Sequence, residues 1–176
     1  VEKLPIVDGE DGRLTGMITI KDIEKVRKYP GAAKDARGRL LCAAAVGVSP
    51  EGEERAEALA HAGVDLLGID SAHGHSAGIL EFAAKLKDRH PHVALMVGNV
   101  ATGDGVRACA DHGADIVEFD VRLTKDGELA VFHDFTLEYR TDGTGYVSDH
   151  TMEALRRLDV GYGYTADGGK SYPFRG

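Results

Sequence analysis

The stretch Asp111–Asp134, DHGADIVEFDVRLTKDGELAVFHD, decides how the rest of the chain is read, because the residue pattern changes character within it. Ile116–Asp120 is a short apolar run that closes on two carboxylates. Strand side chains alternate between faces, so Glu118 and Asp120, two apart, project on the same side. Paired carboxylates at a strand's C-terminal end suit a hard divalent cation such as Mg²⁺ or Ca²⁺, which prefers oxygen ligands. Lys125-Asp126-Gly127 reads as a turn, and Glu128–Phe132 as a returning strand that delivers His133. A histidine beside a metal-held substrate can act as general acid or base. The same E-x-D fits equally well a solvated strand end beside a surface histidine.

Carried past Asp134, the run EFDVRLTKDGELAVFHDFTLEYRTDGTG (residues 118–145) resembles the glycerophosphodiester phosphodiesterase family. That resemblance implies that Glu118 and Asp120 hold a metal ion, bound weakly here, and that His133 is the acid/base. It continues through VSDHTMEALRRLDVGY and covers roughly residues 113–176. The family's opening His-Arg-Gly and Pro-Glu-Asn elements have no counterpart. Gly98-Asn99-Val100 stands at the equivalent strand end, which leaves two metal ligands and one of two histidines.

Working outward, length and composition bound the answer. A chain of 176 residues with 43% hydrophobic content is sized for one domain with a core. A net charge of −8 argues against a nucleic-acid or anionic-membrane partner. No apolar run is long enough to span a bilayer, and no signal-peptide pattern occurs. Cys42 and Cys109 form no C-x-x-C pair and both lie in apolar surroundings, so they read as buried thiols in a reducing, cytoplasmic setting. The start at Val and the stop at PFRG give the look of a fragment or an assembled sequence.

Leu40–Val48 is apolar without alternation, the pattern of a strand buried on both faces. Ser49-Pro50 follows as N-cap and first helical position, and Gly63 closes that helix. Asp65–Asp70 is the next strand. Ile79, Phe82, Ala83 and Leu86 recur at helical spacing, Val93–Val97 is a third strand, and Thr102 opens a helix ending at Gly113. Asp115–Asp120 is the fourth strand, and Thr151–Leu158 is a helix after the hairpin. The alternation predicts an α/β fold with a parallel sheet, a partial (β/α) barrel of about four units. Asp70-Ser71, His73 and Gly98-Asn99 then fall at strand ends, where such folds bind ligands. Asp70 and Asn99 also suit helix capping and loop hydrogen bonding, and His73 and His75 of HGH suit either a metal or solvent.

The segment AAAVGVSPEGEERAEALAHAGVDLLGIDSAHGHSAGILEFAAKLKDRHPHVALMVGNVAT (residues 43–102) is similar to the middle of the IMP dehydrogenase catalytic barrel. The preceding VEKLPIVDGEDGRLTGMITIKDIEKVRKYP looks like the tail of that family's cystathionine-β-synthase-type (CBS) module, with a linker over Lys25–Arg39. This resemblance implies NAD as cofactor, with Asp70 and Ser71 on its adenosine side and Gly98 and Asn99 lining the active site. It switches to the phosphodiesterase resemblance at Gly113-Ala114-Asp115. The expected organisation is therefore residues 1–39, 40–114 and 115–176. No cysteine follows Cys109, so the family's nucleophile loop is absent and little or no turnover is expected. The ligand implied is a small phosphate or nucleotide, and the open barrel edges imply self-association.

Overall fold

The computed structural model describes residues 2–163 and 169–171, in two compact units, Val1–Cys42 and Ala43–Gly176. The last residues of the phosphodiesterase resemblance, 172–176, lie outside the described residues. No helix among the described residues is long and apolar enough to cross a membrane.

In the first unit, β1 (Lys3–Val7) and β2 (Leu14–Thr19) pair antiparallel. The turn between them works because Gly12 takes φ +70° and the Asp8 carboxylate accepts the Glu10 amide. Thr19 then caps α1 (Ile20–Lys28) reciprocally: its hydroxyl accepts the Asp22 amide while Asp22 accepts the Thr19 amide. Lys25, Arg27 and Lys28 in the last turn favour the helix C-terminus, so α1 runs into the stretch expected to be linker. Helix α1 buries none of its residues.

In the second unit, β3 (Ala43–Val46), β4 (Leu66–Asp70), β5 (Ala94–Gly98) and β6 (Ile116–Val117) form one parallel sheet in chain order. Helices α2 (Pro50–His61), α3 (Ala77–Arg89) and α4 (Gly103–Asp111) connect them. Ser49 and Thr102 cap α2 and α4 through their hydroxyls, accepting the Gly52 and Gly105 amides at 3.0 and 3.1 Å. Gly63 and Gly113 follow α2 and α4 with positive φ. One face of the sheet carries Leu67, Ile69, Leu95 and Val97, buried against Ala56, Phe82, Ala83, Leu86 and Cys109 of the helices. Asp115 fixes the start of β6 to β5: its Oδ2 accepts the Leu95 amide at 2.8 Å and Lys87 Nζ at 2.7 Å.

Several expectations change. The sheet has two free edges and does not close into a barrel among the described residues. The Leu40–Val48 run is not buried on both faces: β3 is an edge strand, and within it only Val46 is buried. Leu40 and Leu41, which precede β3, are 63% and 46% exposed. Cys42 is exposed, whereas Cys109 is buried as expected. The fourth strand is shorter than residues 115–120. The last helix, α5 (Met152–Leu155), is also short: Asp142 accepts the Asp159 amide at 2.9 Å and draws the chain aside.

The hairpin β7 (Val121–Leu123) and β8 (Leu129–Val131) is antiparallel, as expected. Thr124 and Asp126 bond within its turn at 2.6 Å, and Gly127 supplies the positive φ.

Candidate functional site

Polar residues gather where β4, β5 and β6 end. Leu66, Gly68 and Met96, on the sheet face turned away from the helices, floor a cavity of about 430 Å³. Its mouth is lined by Asp70, Gly98, Asn99, Glu118, Asp120 and His133. An adjoining cavity of about 400 Å³ shares Asn99, Asp120 and His133 and adds His73 and Arg140. A third, of about 220 Å³, lies beside β8 and α5 and is walled almost wholly by apolar side chains.

Glu118 is placed by backbone pairing on both sides: its amide donates to Val97 O at 2.9 Å and its carbonyl accepts the Val100 amide at 3.0 Å. Its carboxylate lies over Gly98, where a Cβ would stand 2.5 Å from Glu118 Oε2, so a larger residue there would have to push the Glu118 side chain aside. Asp120 is held by Asn99, whose Nδ2 donates to Oδ2 at 2.9 Å. Partial burial raises the Glu118 carboxyl above the ordinary glutamate range, and the charges of Asp120 and Asp70 push it further. His133 acts in the opposite sense.

His133 Nδ1 stands 2.7 Å from Asp134 Oδ1, and Arg140 Nε donates to Asp134 Oδ2 at 3.2 Å. These two contacts hold the Asp134 carboxyl below the ordinary aspartate range, the histidine contact contributing most. Asp134 is therefore a carboxylate, and the Nδ1 proton of His133 points to it. That leaves Nε2 as the group that can take or hand over a proton. Arg122 clamps the same segment by donating to the carbonyls of His133 and Asp134 while its guanidinium sits 3.8 Å from the Phe135 ring centroid.

The structure brings Asp70, Gly98, Asn99, Glu118, Asp120 and His133 to one cavity. Ser71 is not among them. Its hydroxyl and its amide both donate to Gly98 O, at 2.8 and 3.0 Å, so it ties β4 to β5. His73 lines the adjoining cavity, and His75 lines neither. Among the described residues no group of three or more His, Cys, Asp or Glu side chains is placed to hold a metal ion. Two carboxylates, one of them already accepting an amide hydrogen, do not make a ligand set for a resident cation of six or more oxygens. Asp134, Arg140 and Arg122 are site residues that sequence reading passed over. The aspartate directly after His133 was the available signal, since a histidine's second nitrogen commonly finds a carboxylate.

Cys109 does not line the cavity. Cys109 is buried with its thiol 3.8 Å from Gly74 O, and burial raises its pKa. Cys42 belongs to the other compact unit.

Against known families, residues 14–121 match the IMP dehydrogenase / GMP reductase domain. Residues 101–176 match the glycerophosphoryl diester phosphodiesterase family, so the two overlap across α4 and β6. Inosine-5'-monophosphate dehydrogenase of Staphylococcus haemolyticus is 54% identical over 121 residues, 69% of this chain and 24% of that protein. The Streptococcus pyogenes enzyme is 55% identical over the same length. The chain thus spans about a quarter of the length of these curated relatives. Among solved structures, GMP reductase from Trypanosoma brucei in complex with guanosine 5'-triphosphate superposes with TM-score 0.58 and 36% identity, over 74% of this chain and 33% of that one. A cysteine-to-alanine variant of the same enzyme gives 0.53 and 41%, over 66% and 26%.

Proposed function

Because the chain belongs, over residues 14–121, to the IMP dehydrogenase / GMP reductase family, we propose that its strand-end cleft binds a purine nucleotide or NAD without redox turnover. The observation that carries this reading is that Asp70, Gly98 and Asn99 line one cavity while the buried Cys109 is not among its lining residues. A carboxylate such as Asp70 accepts hydrogen bonds from a ribose diol, and the Asn99 amide adds a further polar contact. Oxidation through a covalent thioimidate needs a thiolate at the reacting carbon. Cys109 is buried with its pKa raised, which opposes that role.

Calorimetric titration with IMP and with NAD, beside absorbance measurement of the reduced cofactor, tests this. Binding without reduction is expected, and Asp70→Asn should weaken it by about 10-fold, the loss of one charge-assisted hydrogen bond. Turnover that disappears on changing Cys42 or Cys109 would refute the reading.

A second reading rests on a separate observation: Glu118, Asp120 and His133 line the same cavity, and all three lie in the segment matched to the phosphodiesterase family. Here a water molecule would attack phosphorus as the P–O bond to the leaving alcohol breaks, and His133, doubly protonated, would hand its Nε2 proton to the departing alkoxide while Asp134 keeps Nδ1 oriented. Choline release from glycerophosphocholine, with and without Mg²⁺ or Ca²⁺, measures it. Slow release abolished by His133→Ala supports this reading, and none at all removes it.

A further inference from the structure

We propose that Arg140 and His73 form a subsite for a phosphate anion beside His133, in the 400 Å³ cavity that adjoins the strand-end cleft. The two cavities share a wall of Asn99, Asp120 and His133 but differ in charge. Asp70, Glu118 and Asp120 line the first, and among the described residues no lysine or arginine lines it. In the second, Asp120 is the one lining carboxylate, its Oδ2 accepts the Asn99 side-chain amide at 2.9 Å, and Arg140 is added. An anion is therefore repelled from the first cavity and finds its cationic partner in the second.

The fold of the loop after β8 leaves the donors open. Arg140 commits Nε to Asp134 Oδ2 at 3.2 Å, and its two Nη groups donate to no described residue. His133 commits Nδ1 to Asp134, which leaves Nε2. The ring nitrogens of His73, in the loop after β4, bond to no described residue. The Asp134 charge would repel an anion, but both His133 and Arg140 meet it. Arg122 brings a second guanidinium to the carbonyls of the same segment. A guanidinium fork meets two oxygens of an anion at once. Imidazoles from two further segments then suit a tetrahedral anion, whose oxygens point several ways, better than a flat carboxylate. The subsite deepens both readings of the cleft, because IMP, NAD and a glycerophosphodiester all carry phosphate.

The test titrates the full chain with inorganic phosphate at constant pH and ionic strength, read from the imidazole proton resonances. His73 and His133 should shift and saturate, while buried His90, which lines neither cavity, stays in place. Arg140→Gln should weaken binding by about 10-fold, the loss of a charged hydrogen bond. Arg89→Gln, at the last residue of α3, should leave it unchanged. Because Arg140→Gln also uncovers the Asp134 charge, the double variant Asp134→Asn, Arg140→Gln separates the two effects. The double variant should stay weak, and recovery of the parent's affinity would show that Arg140 only masks Asp134, which sinks the subsite. No saturation in the parent, or an affinity indifferent to Arg140→Gln, would overturn it as well. IMP and glycerophosphocholine, run beside phosphate, distinguish the sources. Tighter binding of one, weakened in step with phosphate by Arg140→Gln, supports the subsite and identifies its ligand. If neither binds more tightly than phosphate, the subsite stands and both readings of the cleft fall. Should Arg140→Gln lose the parent's amide spectrum, His73→Ala on its exposed loop takes its place. A weakening of about 5-fold is expected there, and unchanged affinity refutes the proposal.

Discussion

Asn99 Nδ2 donates to Asp120 Oδ2 across 2.9 Å, and this bond joins the residue after β5 to the segment that leaves β6. It occupies Asp120 Oδ2, while the Glu118 carboxylate lies over Gly98, where a Cβ would stand 2.5 Å from its Oε2.

Divalent cations should accordingly bind weakly. Two carboxylates leave most of a Mg²⁺ or Ca²⁺ shell to water, so dissociation constants on the order of 10⁻⁴–10⁻³ M are expected. Calorimetry with each ion, beside the double variant Glu118→Gln, Asp120→Asn, measures this. Identical heats from the two proteins would show that these carboxylates are no metal site.

The same crowding makes Glu118 a source of instability at neutral pH. Its folded pKa is raised above the ordinary 4.5, so between those values the folded state holds more protons than the unfolded one. Stability therefore falls as pH rises through that window. Glu118→Gln should melt with the parent in acid and above it at neutral pH. Thermal melts at both pH values check the sign, and a gap that shrinks with rising pH would contradict the placement.

Asp115 should behave in the opposite way. Its pKa is lowered, first by Lys87 and then by the Leu95 amide, so its contribution is present above the ordinary 3.8 and lost as pH falls through the folded value. Asp115→Ala leaves the amide of buried Leu95 without its acceptor, a cost of about 1–3 kcal/mol at neutral pH. Urea unfolding should show that gap, and it should narrow in acid.

Gly52 is a steric constraint at the start of α2. A Cβ there would stand 1.9 Å from the Gly47 carbonyl oxygen, a backbone atom that cannot swing away. Gly52→Ala should destabilise the second unit by about 1–3 kcal/mol. A variant that melts like the parent would mean that the turn between β3 and α2 is looser than described.

Local chemistry made much of this fold legible. The alternation of apolar runs with Ser49-Pro50, Gly63, Thr102 and Gly113 marks strands, caps and helix ends, since each signal acts within a few residues. Lys125-Asp126-Gly127 likewise fixed the hairpin that carries His133. The residues alone also placed Asp70 and Asn99 at the ends of β4 and β5, whereas β6 stops at Val117, short of Glu118 and Asp120. Exposure was beyond that reach. An apolar run looks the same at an edge as in a sheet's middle, so the edge position of β3 shows only once neighbouring strands are counted. Ser71 looks like a ligand-binding residue until its hydroxyl is seen on Gly98 O. Asp134, Arg140 and Arg122 become site residues only where the hairpin and the loop after it fold back together. Contacts between residues far apart in sequence are set by loop geometry and packing, and no short-range pattern encodes them.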